Sequence, residues 1–289
     1  MLRPDLSALA SRLVEPPVTR FAPSPTGYLH LGHVVNAIYV WGLARALGGS
    51  VLLRIEDHDR LRSRPQFEAA ILDDLDWLGF TADQGLAPQR ARASAYESAL
   101  ADVRTRYQVY ACGCSRKEIG GEWYPGTCRA RGLAEADDRG LRVQIDAGAE
   151  TFVDALAGRQ VQHPANESGD LLIRDRDGHW TYQFAVTVDD HLDRVTLVIR
   201  GADLLSSTGR QLRLARMLGR IEPPVFLHHA LLYDAAGRKL SKSDGAAGVR
   251  ELRRSGQSGA DVIGRAAAAI GLLGTARPVP ASAVADLLV

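Results

Sequence analysis

The chain has no run of 18 apolar residues anywhere in its 289 positions, and its opening MLRPDLSALASRLVEPP has no apolar segment of the kind that directs export. A membrane span and secretion are therefore not expected, and the reading is a cytoplasmic protein with no membrane partner. Excess charge is also missing. The 35 Lys and Arg are balanced by 34 Asp and Glu, a formal net charge of +1, so no global positive field marks a nucleic-acid binder and any RNA contact has to be local. Cysteine is scarce: Cys112, Cys114 and Cys128 fall within 17 residues and there are no others. A disulfide framework uses an even number and spreads it, whereas an odd local cluster in a reducing compartment points to metal ligation. Disorder-prone composition is confined to the Gly, Arg and Asp-rich run from about Arg129 to Gly140, which reads as loop. What remains, 46% hydrophobic and 24% charged, is enough for one large core and one or two smaller modules.

Hydrophobic rhythm organises the rest. A short strand from Val18 is broken by Pro-Ser-Pro-Thr-Gly at 23–27, and an apolar helical pattern runs from His30 to Leu47. A second strand from Val51 precedes helical segments near Pro65 to Leu78 and Ala91 to Tyr107. This alternation predicts a doubly wound α/β sheet. From Tyr110 to about Trp180 the pattern turns irregular and reads as an insertion, after which the rhythm returns with a strand at Val195, a helix near Ser207 to Leu218 and the apolar segment Val225 to Leu232. The expected organisation is 1–109 and 181–245 as halves of one catalytic domain, 110–180 as an insertion, and 246–289 as a short helical segment.

Gly27 to His33 sits where a strand hands over to a helix, a place where backbone N–H groups and the helix dipole favour an anion. His30 and His33, three apart, lie roughly on one face of the helix start and can both address a phosphate. Gly32 removes a side chain, so a base or ribose can approach the backbone. Much later, Arg238 to Asp244 (RKLSKSD) offers Lys239 and Lys242 with two serines. Lysine is a compact charge able to follow a migrating phosphate, and hydroxyls add directional donors.

FAPSPTGYLHLGH and KLSKS resemble the two signatures of class I aminoacyl-tRNA synthetases, and RFAPSPTG with RIEDHD is similar to the glutamyl branch. The resemblance implies a Rossmann-type sheet with ATP across the carboxyl ends of the strands, and His30, Gly32, His33, Lys239 and Lys242 at the nucleotide. Adenylate formation joins two anions, so the site needs charge stabilisation, with Mg²⁺, rather than a general base. The amino acid is read in charge. Arg20 at the end of the first strand can fork a carboxylate, Glu56 after the second can take an ammonium, and Arg200 follows a third. The resemblance adds Phe21, Ala22, Pro23, Ser24 and Tyr182 as neighbours of L-glutamate, and departs at Gln183, where the longer members carry asparagine.

Three thiolates leave a structural Zn²⁺ site one ligand short, and Glu118, Glu122 and Tyr124 are the nearby candidates. The spacing C-x-C, loop, Y-x-x-x-C is similar to that of the short glutamyl-queuosine paralogs of the family, which favours Tyr124 alongside Cys112, Cys114 and Cys128. Only 45 residues follow Asp244, too few for the helical anticodon-binding region of the longer members. By this resemblance the partners are ATP, L-glutamate and a tRNA(Asp) bearing queuosine, handled by a monomer. A minimal synthetase charging a tRNA 3′ end, or a nucleotidyltransferase, are the alternatives. Arg104, Arg106, Arg116, Lys117, Arg129 and Arg131 concentrate positive charge where RNA could approach. If Lys242 follows the phosphates, Lys242→Ala lowers glutamate-dependent ATP–pyrophosphate exchange at least ~100-fold; near-normal exchange would move that role to another lysine.

Overall fold

A computed structural model describes residues 2–121, 123–233 and 248–289 of the chain. Helix α1 (Leu6–Ala10) leads to β1 (Val18–Phe21), α2 (Leu31–Ala46), β2 (Ser50–Leu53), α3 (Pro65–Leu78), β3 (Gln84–Gly85) and α4 (Ala93–Arg106). Then come β4 (Val109–Cys112), α5 (Arg116–Ile119), β5 (Gly140–Val143), a hairpin of β6 (Glu150–Asp154) and β7 (Gly158–Gln162), α6 (Pro164–Glu167) and β8 (Leu171–Arg174). The chain continues through α7 (Tyr182–Leu192), β9 (Leu197–Gly201), α8 (Thr208–Met217), β10 (Val225–His229), α9 (Val249–Arg254), α10 (Gly259–Ala269) and a 3-10 segment, Ala281–Leu287. Local chemistry sets the ends of α3: Pro65 opens it, and Gly79, left-handed at φ 85°, closes it.

Strands β1, β2 and β3 pair in parallel, with Val18 opposite Ser50 and Leu52 opposite Gln84. Strand β10 pairs in parallel with both β9 and β6, and β7 closes that edge antiparallel. The two ladders abut where Thr196 N–H donates to Val18 C=O at 2.9 Å, so the order across both is β3-β2-β1-β9-β10-β6-β7. The chain works outward from β1 in one direction and returns to β9 in the other. That reversal opens a crevice beyond the carboxyl ends of β1 and β9, where open parallel sheets bind ligands.

Side chains alternate across this sheet, and the alternation sorts the site. Phe21, Val51, Ile55, Leu197, Ile199, Val225 and Leu227 join the large core under α2, α3 and α10. Leu52, Val198 and Phe226 point to the opposite face, with Leu212 of α8. With a period of two, Arg20, Arg54, Glu56, Arg200 and His228 belong to the α7/α8 face, and His229 to the α2 face.

The stretch 110–180, expected as one insertion, is divided between two sheets. Strands β4, β5 and β8 form a separate three-stranded antiparallel sheet, whereas β6 joins β10 of the main sheet, Asp154 standing opposite Phe226. The partner of β6 lies about 70 residues further on, so no local pattern could announce the pairing. Among the described residues no helix is long and apolar enough to cross a membrane.

The C-terminal segment buttresses the site. α10 packs on α2 and α3, and Ala281–Leu287 lies along α2. Gly264 in α10 allows the chain at Arg277 to pass close: a Cβ there would lie 1.7 Å from the Arg277 carbonyl oxygen. Helix propensity favours alanine over glycine by about 1 kcal/mol, but a backbone clash outweighs it. Gly264→Ala is expected to destabilise the fold by about 1–3 kcal/mol in urea unfolding; a stabilised variant would contradict this packing.

Candidate active site

A cavity of about 530 Å³ occupies the crevice, lined by residues from the ends of β1, β2, β9 and β10 and the starts of α2 and α7. On the α2 side stand His30, Gly32, His33 and Asn36; on the α7/α8 side stand Arg20, Glu56, Tyr182 and Arg200.

The two histidines are fixed by capping. His30 is the N-cap of α2, its Nδ1 accepting from Gly32 N–H at 3.0 Å, while His33 Nδ1 accepts from the His30 backbone N–H at 3.1 Å. Each Nδ1 spends its lone pair on a backbone donor, so in the neutral rings the proton sits on Nε2. The rings lie 3.9 Å apart at 47°. Two Nε2–H donors at a helix N-terminus suit phosphate oxygens without requiring a charged imidazole. Gly32 serves this arrangement as well as ligand approach, because a Cβ there would come within 2.9 Å of the His30 ring.

Facing them is a buried ionic network centred on Arg54. Its Nη1 donates to Asp193 at 2.9 Å, and its Nη2 donates to Glu56 at 3.0 Å and to Asp190 at 2.8 Å. Arg20 Nε donates to Asp190 at 3.0 Å and its Nη1 to the Ile199 carbonyl at 3.3 Å. Arg92, Gln89 and Tyr96 hold Asp189 at 3.0, 2.7 and 3.0 Å. Burial alone would raise the Asp190 carboxyl, but Arg20 and Arg54 more than offset it and hold it down at about 2. Burial and the neighbouring Glu56 charge raise the Tyr182 phenol, partly opposed by Arg200 and Arg20, so it stays protonated as a donor.

Arg200 is held from behind by a different chain. Its Nε donates to His228 Nε2 at 2.9 Å, and His228 Nδ1 meets Asp154 at 2.7 Å. Since Nε2 accepts, the proton lies on Nδ1, donated to the carboxylate. Burial keeps this imidazole below its ordinary pKa, with the Arg200 charge acting in the same direction and Asp154 opposing. Nη1 donates to Gln211 at 2.6 Å and Nη2 to Thr208 at 2.9 Å. Gln211 in turn donates to Gln183 at 2.7 Å. Gln183 therefore meets Arg200 only through Gln211, and it is not among the lining residues.

The 39%-identical Glutamyl-Q tRNA(Asp) synthetase of Rhodobacter capsulatus aligns over 272 residues, 85% of this chain and 98% of its own length. One from Burkholderia mallei is 45% identical over 244 residues, 80% and 82% of the two chains. The catalytic domain described as "tRNA synthetases class I (E and Q)" matches residues 17–123 and 128–261. The chain belongs to this family. A solved glutamate tRNA ligase from Elizabethkingia meningosepticum, in complex with its amino acid, superposes with a TM-score of 0.75 at 27% identity, over 88% of this chain and 60% of that one. The mixed α/β architecture is thus that of a class I synthetase catalytic domain.

In this synthetase domain the expected residues are distributed unevenly. Arg20, Ala22, His30, Gly32, His33, Glu56, Tyr182 and Arg200 converge on the cavity. Phe21 does not: its ring is buried against Trp41, 5.2 Å between centroids, because strand alternation turns it to the α2 core. Pro23 and Ser24 line no part of the cavity; Pro23 C=O instead accepts from Glu56 N–H at 3.0 Å. Lys239 and Lys242 lie outside the described residues. The chain on either side reaches the site, Leu232 lining the cavity and Gly248 bridging to His30. Sequence reasoning missed Arg54, Asp154, Asp190, His228, His229 and Asn36.

The cysteines cluster as expected. Their three Sγ atoms lie within 4.8 Å of one another, with Tyr124 Oη 3.3 Å from Cys112 Sγ and accepting from Cys128 N–H at 2.9 Å. Glu118 is committed elsewhere, capping α5 through Ser115 N–H and Oγ at 2.7 Å each, and Glu122 lies outside the described residues. The Arg142 guanidinium sits 3.7 Å over the Tyr124 ring, a cation–π contact, while burial and the Cys112 hydrogen bond raise the phenol and keep it protonated. Three thiols and an oxygen suit a tetrahedral Zn²⁺ site. Half of the supposed basic surface is paired within the chain: Arg104 meets Glu135 at the surface, Arg106 donates to the Met217 carbonyl and Arg129 binds Asp170, while Arg131 lies 3.8 Å from Cys128 Sγ. Arg116 and Lys117 remain exposed.

Asp190 supports two buried guanidiniums, so Asp190→Asn is expected to cost about 3–5 kcal/mol in urea unfolding. Its carboxyl is depressed, so its contribution is complete above the ordinary carboxylate range, about pH 4, and is lost as the pH falls towards 2. An acid-unfolding profile unchanged in the variant would refute this.

Proposed function

We propose that the protein activates L-glutamate with ATP and Mg²⁺ and esterifies it to queuosine in the anticodon loop of tRNA(Asp). The observation that carries the first half is one cavity with paired Nε2–H donors on the α2 side and two guanidiniums, a carboxylate and a phenol on the other. In this reading ATP lies over Gly32 with its phosphates at His30 and His33, joined by Lys239 and Lys242. Glu56 takes the glutamate ammonium, while Arg20, Arg200 and Tyr182 receive its side-chain carboxylate. The remaining carboxylate attacks the α-phosphorus in line and pyrophosphate leaves. A queuosine hydroxyl then attacks the acyl carbon, forming the ester and releasing AMP.

The acceptor rests on the names of relatives that align over most of their length, not on any side chain in the cavity. Every residue invoked comes from one chain, so a monomer suffices. A structural Zn²⁺ held by Cys112, Cys114, Cys128 and Tyr124 would brace the loops above the β4-β5-β8 sheet; about one zinc per chain is expected by elemental analysis, lost in Cys112→Ser. The acceptor is tested by locating the ester after incubation with labelled glutamate, ATP and tRNA. Label should survive trimming of the 3′ nucleotides and be absent from tRNA lacking queuosine. Label removed with the 3′ end would instead establish a minimal glutamyl-tRNA synthetase.

A further inference from the structure

His229 is buried at the end of β10 on the α2 face, and it faces two polar partners. Nδ1 is 2.9 Å from the Ala230 carbonyl oxygen and Nε2 is 3.1 Å from the side-chain amide of Asn36. Tyr39, three residues beyond Asn36 on α2, stacks on the ring at 5.1 Å with an interplanar angle of 3°. Burial holds this imidazole down at about 4, so near neutral pH it carries a single N–H. A backbone carbonyl can only accept, which places that proton on Nδ1 and leaves a lone pair on Nε2. The amide atom placed against Nε2 is Oδ1, which would oppose two lone pairs. Turning the amide by 180° replaces that repulsion with an Nδ2–H···Nε2 hydrogen bond.

Oriented in this way, Asn36 turns Oδ1 away from His229. Asn36 and His229 both line the cavity, beside Gly32, Leu231 and Leu232. Gly32 and Asn36 are four apart and share a face of α2, and Gly32 is where a flat base can lie against the backbone. The neighbouring wall, Leu231 and Leu232, is apolar and suits a base better than a ribose. We propose that Asn36, oriented by His229, is a base-selecting residue of the nucleotide subsite, its Oδ1 accepting a hydrogen bond from the exocyclic amine of adenine. A guanine would set its 6-carbonyl against the same acceptor, leaving both unpaired, the arrangement by which hydrogen-bonding sites reject near-isosteres. The inference rests on the reading that this cavity binds ATP.

The test is glutamate-dependent pyrophosphate exchange with ATP, purine riboside 5′-triphosphate, which lacks the 6-amino group, and 2′-deoxyATP. Wild type is expected to favour ATP over the purine riboside analogue by about 10-fold or more in kcat/KM, the scale of one hydrogen bond lost with its partner left unpaired. In Asn36→Leu that preference falls to within about 3-fold, with the glutamate KM unchanged. His229→Phe keeps a ring against Tyr39 but releases the amide, and is expected to fall in between; thermal unfolding checks that both variants are folded. An unchanged preference in folded Asn36→Leu overturns the proposal. Loss of discrimination against 2′-deoxyATP alone also overturns it, by assigning Asn36 to a ribose hydroxyl. Absence of exchange in the wild type with ATP and glutamate would instead remove the ATP reading, and this inference with it.

Discussion

Arg54 is fully buried, and the α7/α8 side of the cavity is organised around meeting its charge. An isolated guanidinium in such a place would be very costly, and the structure surrounds it with Glu56, Asp190 and Asp193 at 2.8 to 3.0 Å. Asp190 is shared with Arg20, and Asp193 with Arg92. The network therefore ties the ends of β1 and β2 to α7 and the start of α4. Glu56 and Arg20 have little freedom left before a ligand arrives. A site assembled in advance loses less entropy on binding and keeps its dipoles aimed during the reaction. The network also makes the region brittle, since removal of one carboxylate strands a buried cation.

The sheet adds a division of labour. Adjacent positions on one strand serve different halves of the cavity. Arg200 and His228 stand opposite each other in register and face α8, while Gly201 and His229, one residue on, belong to the α2 side. Asp154 on β6 reaches His228 from the next strand, so three strands, β9, β10 and β6, contribute to holding Arg200. The α2 side depends on capping geometry instead, with two imidazoles whose tautomers are set by backbone donors. The C-terminal helices lie behind α2 and keep that helix seated on the sheet.

Much of this was legible in the linear chain because the chemistry is tied to local patterns. A strand-turn-helix with histidines three apart, and charged residues at strand ends, need no knowledge of distant contacts. Arg20, Glu56 and Arg200 were found because they end or follow strands with a clear alternation, and Tyr182 came from the family resemblance. Their supports were not found, because Asp190 reaches Arg54 and Arg20 across more than 130 residues and Asp154 reaches His228 across 74. A signal did exist: an arginine within the apolar run SVLLRIE and adjacent carboxylates within YQFAVTVDD each put charge where a core is being built. Phe21 and Ser24 were assigned to the ligand through the family resemblance, but alternation turns the Phe21 side chain into the core and Ser24 lies off the cavity. The division of 110–180 between two sheets was hidden for the same reason as the supports, a long-range pairing with no local trace.

The family includes enzymes of both glutamate and glutamine, and the two amino acids differ here only in side-chain charge. Two guanidiniums at the cavity wall, each with a buried partner that keeps it in place, favour the carboxylate over the neutral amide. Amino-acid-dependent ATP–pyrophosphate exchange, compared between glutamate and glutamine, tests this most directly. The account predicts kcat/KM for glutamate at least ~100-fold above that for glutamine, the scale of about 3 kcal/mol for a charge-assisted contact. Equal use of glutamine would contradict it.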